Sequence, residues 1–512
     1  MKRFFFLLVL LTATAGSAVG EALERSAPED EGVRSRDVAE LLDGLMTLPY
    51  ANMHGVMVLR HGRVIGEAWN APFKASYGHA MYSVSKTFTA ACVGLCVQDS
   101  LLNLDDQVAQ FFLDELPAEL TDTLKSLTVK DLLTMQSGLP VNYTKLRKDS
   151  TCWTRALLGQ QMVAWPGTLF AYDSMDSYLL SGIVQRLTGR TALELLEERV
   201  FDPMGVSRAA WERSPEGVCC GGWGLYLRLE DMAKFGQLLL NRGRWKDRQL
   251  LAEEWVDAMT ARQVADGAGN GYGYQMWMTS RPGVVKADGA YGQYIYVVPD
   301  KDMVIVMTQN HVTSGTANLG ATEWLMVCRL LDKVGDDMLM KGEDYATLKK
   351  KQKSYHMPYT NGAKSSPKHM TLYSVPVTLQ LADNMLGWET VRMSQKRTGE
   401  LKLTITTTDG QQYAMLCGNK SWLTSKIKGK PLTYADRRFQ GQFSGLKGPF
   451  YVGASYGWYG SGVDDLYVRL HYVNWISGAR IHFHFSGSSV TAVKIRPAYS
   501  TKDISVTVLQ SH

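Results

Sequence analysis

MYSVSKTFTAACVGLCVQDSLLNLDDQV, residues 81–108, is the stretch on which the reading of this chain turns. It places Ser83, Ser85 and Lys86 together, directly ahead of an apolar run. Val84, Phe88, Cys92, Leu95 and Cys96 recur at helical spacing, which predicts a helix to about residue 98 with one buried face. On that helix Ser83 and Lys86, three apart, share a face, whereas Ser85 and Lys86 do not. Ser83 is therefore the candidate nucleophile and Ser85 a polar spacer. A helix N-terminus offers backbone N–H groups and the positive end of the dipole to a developing oxyanion. A serine hydroxyl still needs a base. A lysine one turn away can serve if desolvation lowers its pKa or if it shares a proton with another group. The bare Ser-x-x-Lys pattern does not decide this, because an N-cap serine followed by a surface lysine has the same spelling.

Working outward, MHGVMVLRHGRVIGEAWN (53–70) reads as two short strands around a His-Gly turn. After the nucleophile helix a mostly helical region runs to about residue 260. LTVKDLLTMQSGL, SYLLSGIVQRLTG, ALELLEERVF and LEDMAKFGQLLLNRG are its helix candidates, three of them carrying at or next to their end the glycine expected of a helix C-terminus. Strand character returns in GVVKADG and QYIYVVPDKDMVIVMTQN, and a helix at roughly 316–333 closes the unit. This order predicts one α/β unit whose sheet is assembled from both ends of its sequence, around a large helical insertion. Residues 336–370 are polar and read as a linker, with the basic run LKKKQK as a solvated stretch. Beyond it, alternating strands such as ELKLTITTTDGQQYAML and DDLYVRLHYVNW predict an all-β domain over 371–512.

The context of Ser83 decides what its spacing leaves open. Residues 81–112 resemble the nucleophile helix of the serine β-lactamase and penicillin-binding-protein superfamily, including the turn that follows. Four further segments resemble that superfamily in the same order: LTVKDLLTMQSGLP, WPGTLFAYDSMDSYLLSGIVQRLTG, GGWGLYLRLEDMAKFGQLLLNRGRW and ADGAYGQYIYVVPDKDMVIVMTQN. The resemblance spans about residues 50–335 and implies an antiparallel sheet flanked by helices, with a large helical subdomain. It implies that Ser83 forms an acyl-enzyme and that Lys86 assists its deprotonation. Tyr172, first residue of YDS, falls where the family has a tyrosine whose phenol bonds the lysine and serves as base and later as acid. Ser174 stands where many relatives have asparagine, in a supporting role.

The third family motif departs. Penicillin-recognising members carry Lys-Thr-Gly there and many esterases His-x-Gly, whereas this chain has Ala287-Asp288-Gly289. The oxyanion hole uses backbone N–H groups, here those of Ser83 and Ala290, so it survives the change. Recognition of a β-lactam carboxylate is weakened, and the segment is closer to the esterase and aminohexanoate-oligomer hydrolase branch. Asp288 and Gly289 are then substrate-side residues, with Asp288 a candidate for a substrate ammonium or simply a strand-surface carboxylate. The expectation is a serine hydrolase of a small carboxylic ester or amide, needing no cofactor and no metal. A catalytically silent binding protein of the same fold and a D-amino-acid peptidase are the alternatives.

Composition agrees with a globular chain. Of 512 residues 45% are hydrophobic, and the net charge of +5 gives no reason to expect nucleic acid as a partner. The N-terminus has a basic start, an apolar run from Phe4 to Leu11, and small residues before Glu21, which reads as a signal peptide over 1–20. The hydrolase domain is then 21–335, secreted or periplasmic, with no membrane anchor once the signal is removed. The seven cysteines are too sparse for a disulfide framework, although Cys219 or Cys220 could pair with Cys152. His482 and His484 share a strand face and are read as an exposed pair rather than metal ligands. Trp153 and Trp165 suit either a pocket wall or the core. Asn142 and Asn419 head glycosylation sequons, meaningful only in a eukaryotic secretory host. The sequence leaves the oligomeric state open.

Overall fold

The computed structural model describes residues 22–140, 151–311, 318–337, 339–366, 375–396, 398–432, 445–462, 464–497 and 502–511. The expected signal peptide and Asn142 lie outside them. Helix α1 (Ser35–Thr47) leads into a hairpin of β1 (Met53–Arg60) and β2 (Arg63–Trp69). Its turn residues, His61 and Gly62, have φ of 49° and 73°, the left-handed pair whose twist suits a two-residue hairpin.

A two-residue strand, β3 (His79–Ala80), then passes through a single 3-10 turn, Tyr82–Val84, into α2 (Ser85–Gln98). One buried face was expected for this helix. Instead every residue from Ser85 to Cys96 is buried, because the sheet packs one side of α2 and the helical insertion wraps the rest. Phe88 stacks on Phe235 with centroids 3.9 Å apart, and Trp255 Nε1 donates to the Ala90 carbonyl at 3.0 Å.

The insertion contributes α3 (Ser174–Thr188), capped by the Asp173 side chain and closed by Gly189 in the left-handed conformation. It also contributes β4 (Leu225–Leu227), which pairs with β3, and α4 (Leu229–Leu240). The chain returns to the sheet through β5 (Trp277–Met278), β6 (Val285–Gly289), β7 (Gln293–Val298) and β8 (Met303–Gln309), and then forms α5 (Leu319–Leu331). The sheet order is β2-β1-β8-β7-β6-β5, antiparallel throughout. It is built from both ends of the unit, as the sequence predicts. One core lies between this sheet and α2, α3 and α4; a second, on the opposite face, takes in α1 and α5.

The stretch expected to be a solvated linker carries a helix, α6 (Glu343–Lys351), which includes most of the basic run. It docks on α1: Leu348 is buried in the second core, and Lys351 and Tyr355 both bond Asp43. A lone apolar anchor in a highly charged segment gives too little periodicity to be read from sequence.

The C-terminal domain is all β. Its strands are β9 (Val377–Leu381), β10 (Trp388–Gln395), β11 (Leu401–Thr407), β12 (Gln412–Asn419), β13 (Leu423–Ile427), β14 (Phe450–Tyr459), β15 (Asp465–Tyr472), β16 (Gly478–Ser486), β17 (Ser489–Pro497), β18 (Ile504–Val506) and β19 (Val508–Ser511). They form one curled sheet in the order β18-β17-β16-β15-β14-β12-β11-β10-β9-β19, with β13 beside β14. The last strand pairs with the first, and Val490 N–H donates to Ser511 Oγ at 3.1 Å, so the ends of the sheet come together as a near-barrel. His482 and His484 sit on its outer face, both within hydrogen-bond distance of Asp465 Oδ1 at 2.7 and 2.8 Å. The Asn419 amide donates to the carbonyls of Gly362, Ala363 and Tyr456, an inward use at odds with a glycan there. No disulfide joins the seven cysteines, so the pairing of Cys152 with Cys219 or Cys220 does not form.

Candidate active site

Ser83 sits in the 3-10 turn at the mouth of α2, half-buried, with Lys86 one turn on. Tyr82, just before it, has a φ of 47°, a strained conformation for a bulky residue. Ser85 fastens this turn: its Oγ donates to the Tyr82 carbonyl at 2.6 Å and accepts from Leu225 N–H at 3.1 Å. Read from sequence as a spacer, Ser85 is a structural clasp.

Lys86 is 1% exposed, and its Nζ donates to three oxygens: Ser83 Oγ at 3.1 Å, Ser174 Oγ at 2.9 Å and the Gly222 carbonyl at 2.8 Å. Three contacts occupy all three protons of an ammonium. A neutral amine has only two protons and a lone pair, so one contact must reverse. Gly222 has no proton to give at its carbonyl; the reversed contact falls on a hydroxyl, Ser83 or Ser174. Burial lowers the Lys86 pKa from 10.5 to about 7, against the opposing pull of Asp173 and Asp176. That change favours the neutral amine by roughly 5 kcal/mol. Desolvation prevails because burial also pushes both carboxyls up, Asp176 well above the usual range, which weakens their hold on the cation.

Two glycines make the third contact. A Cβ on Gly222 would lie 2.5 Å from the Ser174 carbonyl, and one on Gly221 would lie 2.2 Å from the Ser177 carbonyl. Only glycines let this loop approach α3 closely enough to present the Gly222 oxygen to Lys86. The sequence signal was the Gly-Gly pair itself, and no role for its carbonyl was read from it.

Tyr172 lies on the other side of the lysine, with Nζ 4.7 Å from its ring centroid. The ring also belongs to an aromatic wall. Trp277 is 5.2 Å from Tyr172, and Phe170 meets both Tyr272 and Trp277 edge to face. Trp277 and Tyr272 were not singled out from sequence. Of the two tryptophans that were, Trp153 is wholly buried in the core and Trp165 is 55% exposed.

The third motif divides between the two faces of the sheet. Ala287 shares a core with α2, and a Cβ on Gly289 would lie 2.5 Å from the Met81 carbonyl, so β6 ends hard against the serine turn. Asp288 faces the opposite way: it is in register with Tyr294, on the side of α1 and α5, and accepts from Lys286 Nζ at 2.6 Å. The structure therefore brings Ser83, Lys86, Tyr172, Ser174 and Gly289 together and leaves Asp288 out. The expected substrate-side role for Asp288 does not suit its position, because alternate residues of a strand point to opposite faces.

The sequence profile of the β-lactamase family matches residues 38–325, more than half of the chain. The chain belongs to that family. It is a serine hydrolase of β-lactamase fold, and its C-terminal near-barrel lies beyond the matched region. A 6-aminohexanoate-dimer hydrolase of Paenarthrobacter ureafaciens is 25% identical over 282 residues, covering 49% of this chain and 70% of the relative. Penicillin-binding protein 4 of Amycolatopsis lactamdurans is 24% identical over 275 residues, covering 44% and 71% respectively. Among solved structures, a Bacillus anthracis protein provisionally identified as a 6-aminohexanoate-dimer hydrolase superposes with a TM-score of 0.52 at 21% identity. That match covers 62% of this chain and 89% of the other, and speaks to the fold alone.

Proposed function

We propose that this protein is an exported hydrolase that cleaves a small carboxylic ester or amide through an acyl-enzyme on Ser83. The observation that carries the reading is the Lys86 contact to Ser83 Oγ, made by an amine whose pKa burial lowers to about 7, so that a sizeable fraction is neutral at pH 7. Ser83 Oγ attacks the substrate carbonyl carbon while its proton passes to the Lys86 lone pair. The carbonyl oxygen becomes an oxyanion facing the Ser83 and Ala290 N–H groups. Collapse breaks the bond to the leaving alcohol or amine, which takes up the proton, with Tyr172 as its carrier. Water then repeats the sequence on the acyl-enzyme, releasing the carboxylic acid and restoring Ser83. Ser174 holds Lys86 in place throughout.

The aromatic wall of Phe170, Tyr172, Tyr272 and Trp277 suits an apolar acyl or leaving group. Ala287, where penicillin-recognising relatives place a lysine, supports an uncharged ester or amide over a β-lactam. A relative that acts on the 6-aminohexanoate dimer supports the amide branch. Export rests on the character of residues 1–20, and none of the described helices is long and apolar enough to cross a membrane.

Peptide mass spectrometry after treatment with a fluorophosphonate and with a slowly turned-over p-nitrophenyl ester tests the reading. The expected result is a single adduct on Ser83 and hydrolysis of short p-nitrophenyl esters faster than of D-peptides or nitrocefin. An unmodified Ser83 with no turnover of any of these would favour a silent binding protein instead.

A further inference from the structure

The C-terminal domain meets the catalytic domain at the residues that lead into Ser83. Segment 472–476 leaves the end of β15 and lies along the edge of β3 that β4 does not cover. Ala80 N–H donates to the Asn474 carbonyl at 3.0 Å, and Asn474 Nδ2 donates to the Gly78 carbonyl at 2.9 Å. Asn474 is itself fixed, since its Oδ1 accepts from Tyr451 N–H at 2.9 Å and the residue is 7% exposed. Two residues on, the Ile476 carbonyl accepts from Asn310 Nδ2 at 2.8 Å. Asn310 precedes His311, whose N–H donates to the Tyr291 carbonyl at 3.1 Å, and Tyr291 follows Ala290. One short segment of the β domain thus holds both stretches of backbone that flank the candidate oxyanion hole.

Side chains repeat the arrangement. Tyr82 and Tyr291, the neighbours of Ser83 and Ala290, have φ of 47° and 66°, and their rings meet edge to face at 5.3 Å. Both rings pack on the core of the β domain, in which Ala80 and Tyr226 are buried. Left-handed φ at a bulky residue persists only where its surroundings enforce it. Here another domain supplies those surroundings.

We propose that the C-terminal β domain completes the active site, with Asn474 a positioning residue that fixes the Ser83 and Ala290 N–H groups as an oxyanion hole. The proposal rests on the Ser83 acyl-enzyme reading. Misplaced oxyanion donors weaken transition-state binding more than substrate binding, so the effect belongs in kcat.

The test uses the full-length protein, p-nitrophenyl acetate as substrate and phenylboronic acid as a tetrahedral analogue. In Asn474→Ala and Asn310→Ala, kcat should fall at least about tenfold with KM within about twofold, and the boronate inhibition constant should rise by the same factor. Asn474→Asp, which keeps the acceptor oxygen and loses the donor to Gly78, should fall between these and wild type. Gln395→Ala is the control. It removes bonds to the Lys364 carbonyl of the preceding segment and to Tyr456, and should leave kcat unchanged. Wild-type kcat in the seam variants, or an equal fall in Gln395→Ala, would overturn the proposal. If Asn474→Ala does not fold, Asn474→Asp and Asn310→Ala decide. Fluorophosphonate labelling of wild-type Ser83 separates the two layers: no label removes the acyl-enzyme reading and this proposal with it. A labelled wild type beside a fully active Asn474→Ala removes this proposal alone.

Discussion

Two walls meet at Ser83, and they are built on different principles. The wall from α2 and α3 works through side chains. Lys86 is sealed from water, its three protons are matched to three oxygens, and two buried carboxyls stand behind it. The wall from β6 works through backbone and shape: a buried Ala287, a Gly289 at which any Cβ would crowd the Met81 carbonyl, and an Asp288 turned to the far face. The first wall holds and moves a proton; the second offers N–H groups. Substitutions should therefore act on chemistry at one wall and on shape at the other.

The contrast is open to direct attack. Removing the nucleophile should have the largest effect: Ser83→Ala should lower p-nitrophenyl ester turnover by about 10⁴-fold or more without lowering the melting temperature. Lys86→Met should cost about 10³-fold in kcat, and Lys86→Arg should not rescue it, because a guanidinium keeps its proton at working pH. Tyr172→Phe keeps the ring beside Lys86 and loses only the phenol. A fall of about 10- to 100-fold in kcat would place the phenol in proton transfer, and an unchanged kcat would confine Tyr172 to packing.

On the β6 wall, Gly289→Ala drives a methyl group into the Met81 carbonyl. It should cost about 1–3 kcal/mol of stability, read by urea unfolding, and displace the serine turn. Asp288→Asn should change kcat/KM by less than about threefold, since Asp288 meets Lys286 on the far face. A large loss there would mean that the two-wall division is drawn in the wrong place.

Much of the first wall was legible in sequence. The three-residue spacing of Ser83 and Lys86 puts them on one helix face, and the order of five segments carries Tyr172 and Ser174 to the same place. The sheet built from both ends of the hydrolase unit was legible because its strands are rich in β-branched and aromatic residues and its hairpin has a clear His-Gly turn. What escaped were features that only the packing of distant segments defines. The Gly222 carbonyl is a backbone atom, and only the crowding of Gly221 and Gly222 against α3 reveals its use. Ser85 looked idle because its partners, Tyr82 and Leu225, include one far away in sequence. For Asp288 the sequence left a substrate contact and a strand-surface carboxylate open, and register with β7, which decides the face its side chain takes, favours the second. Asn474 carries no motif, and its meaning appears only when the second domain is laid against the first.

Lys86 links stability to chemistry. The unfolded chain holds its proton up to about pH 10.5, the folded protein only to about 7, so the folded state binds fewer protons between those values. The contribution of Lys86 to folding is thus most favourable above about 10.5 and is lost as pH falls through about 7. Lys86→Met should abolish this slope, which denaturant titrations at pH 6, 8 and 9.5 would show.

The same titration governs attack, and the role of Lys86 as base is tested most directly by the rate of the acylation burst with p-nitrophenyl acetate as a function of pH. The rate should rise with pH through a single ionisation near 7, with the pre-steady-state adduct on Ser83. A midpoint near 10, the value of an ordinary exposed lysine, or a flat profile, would contradict Lys86 as the base.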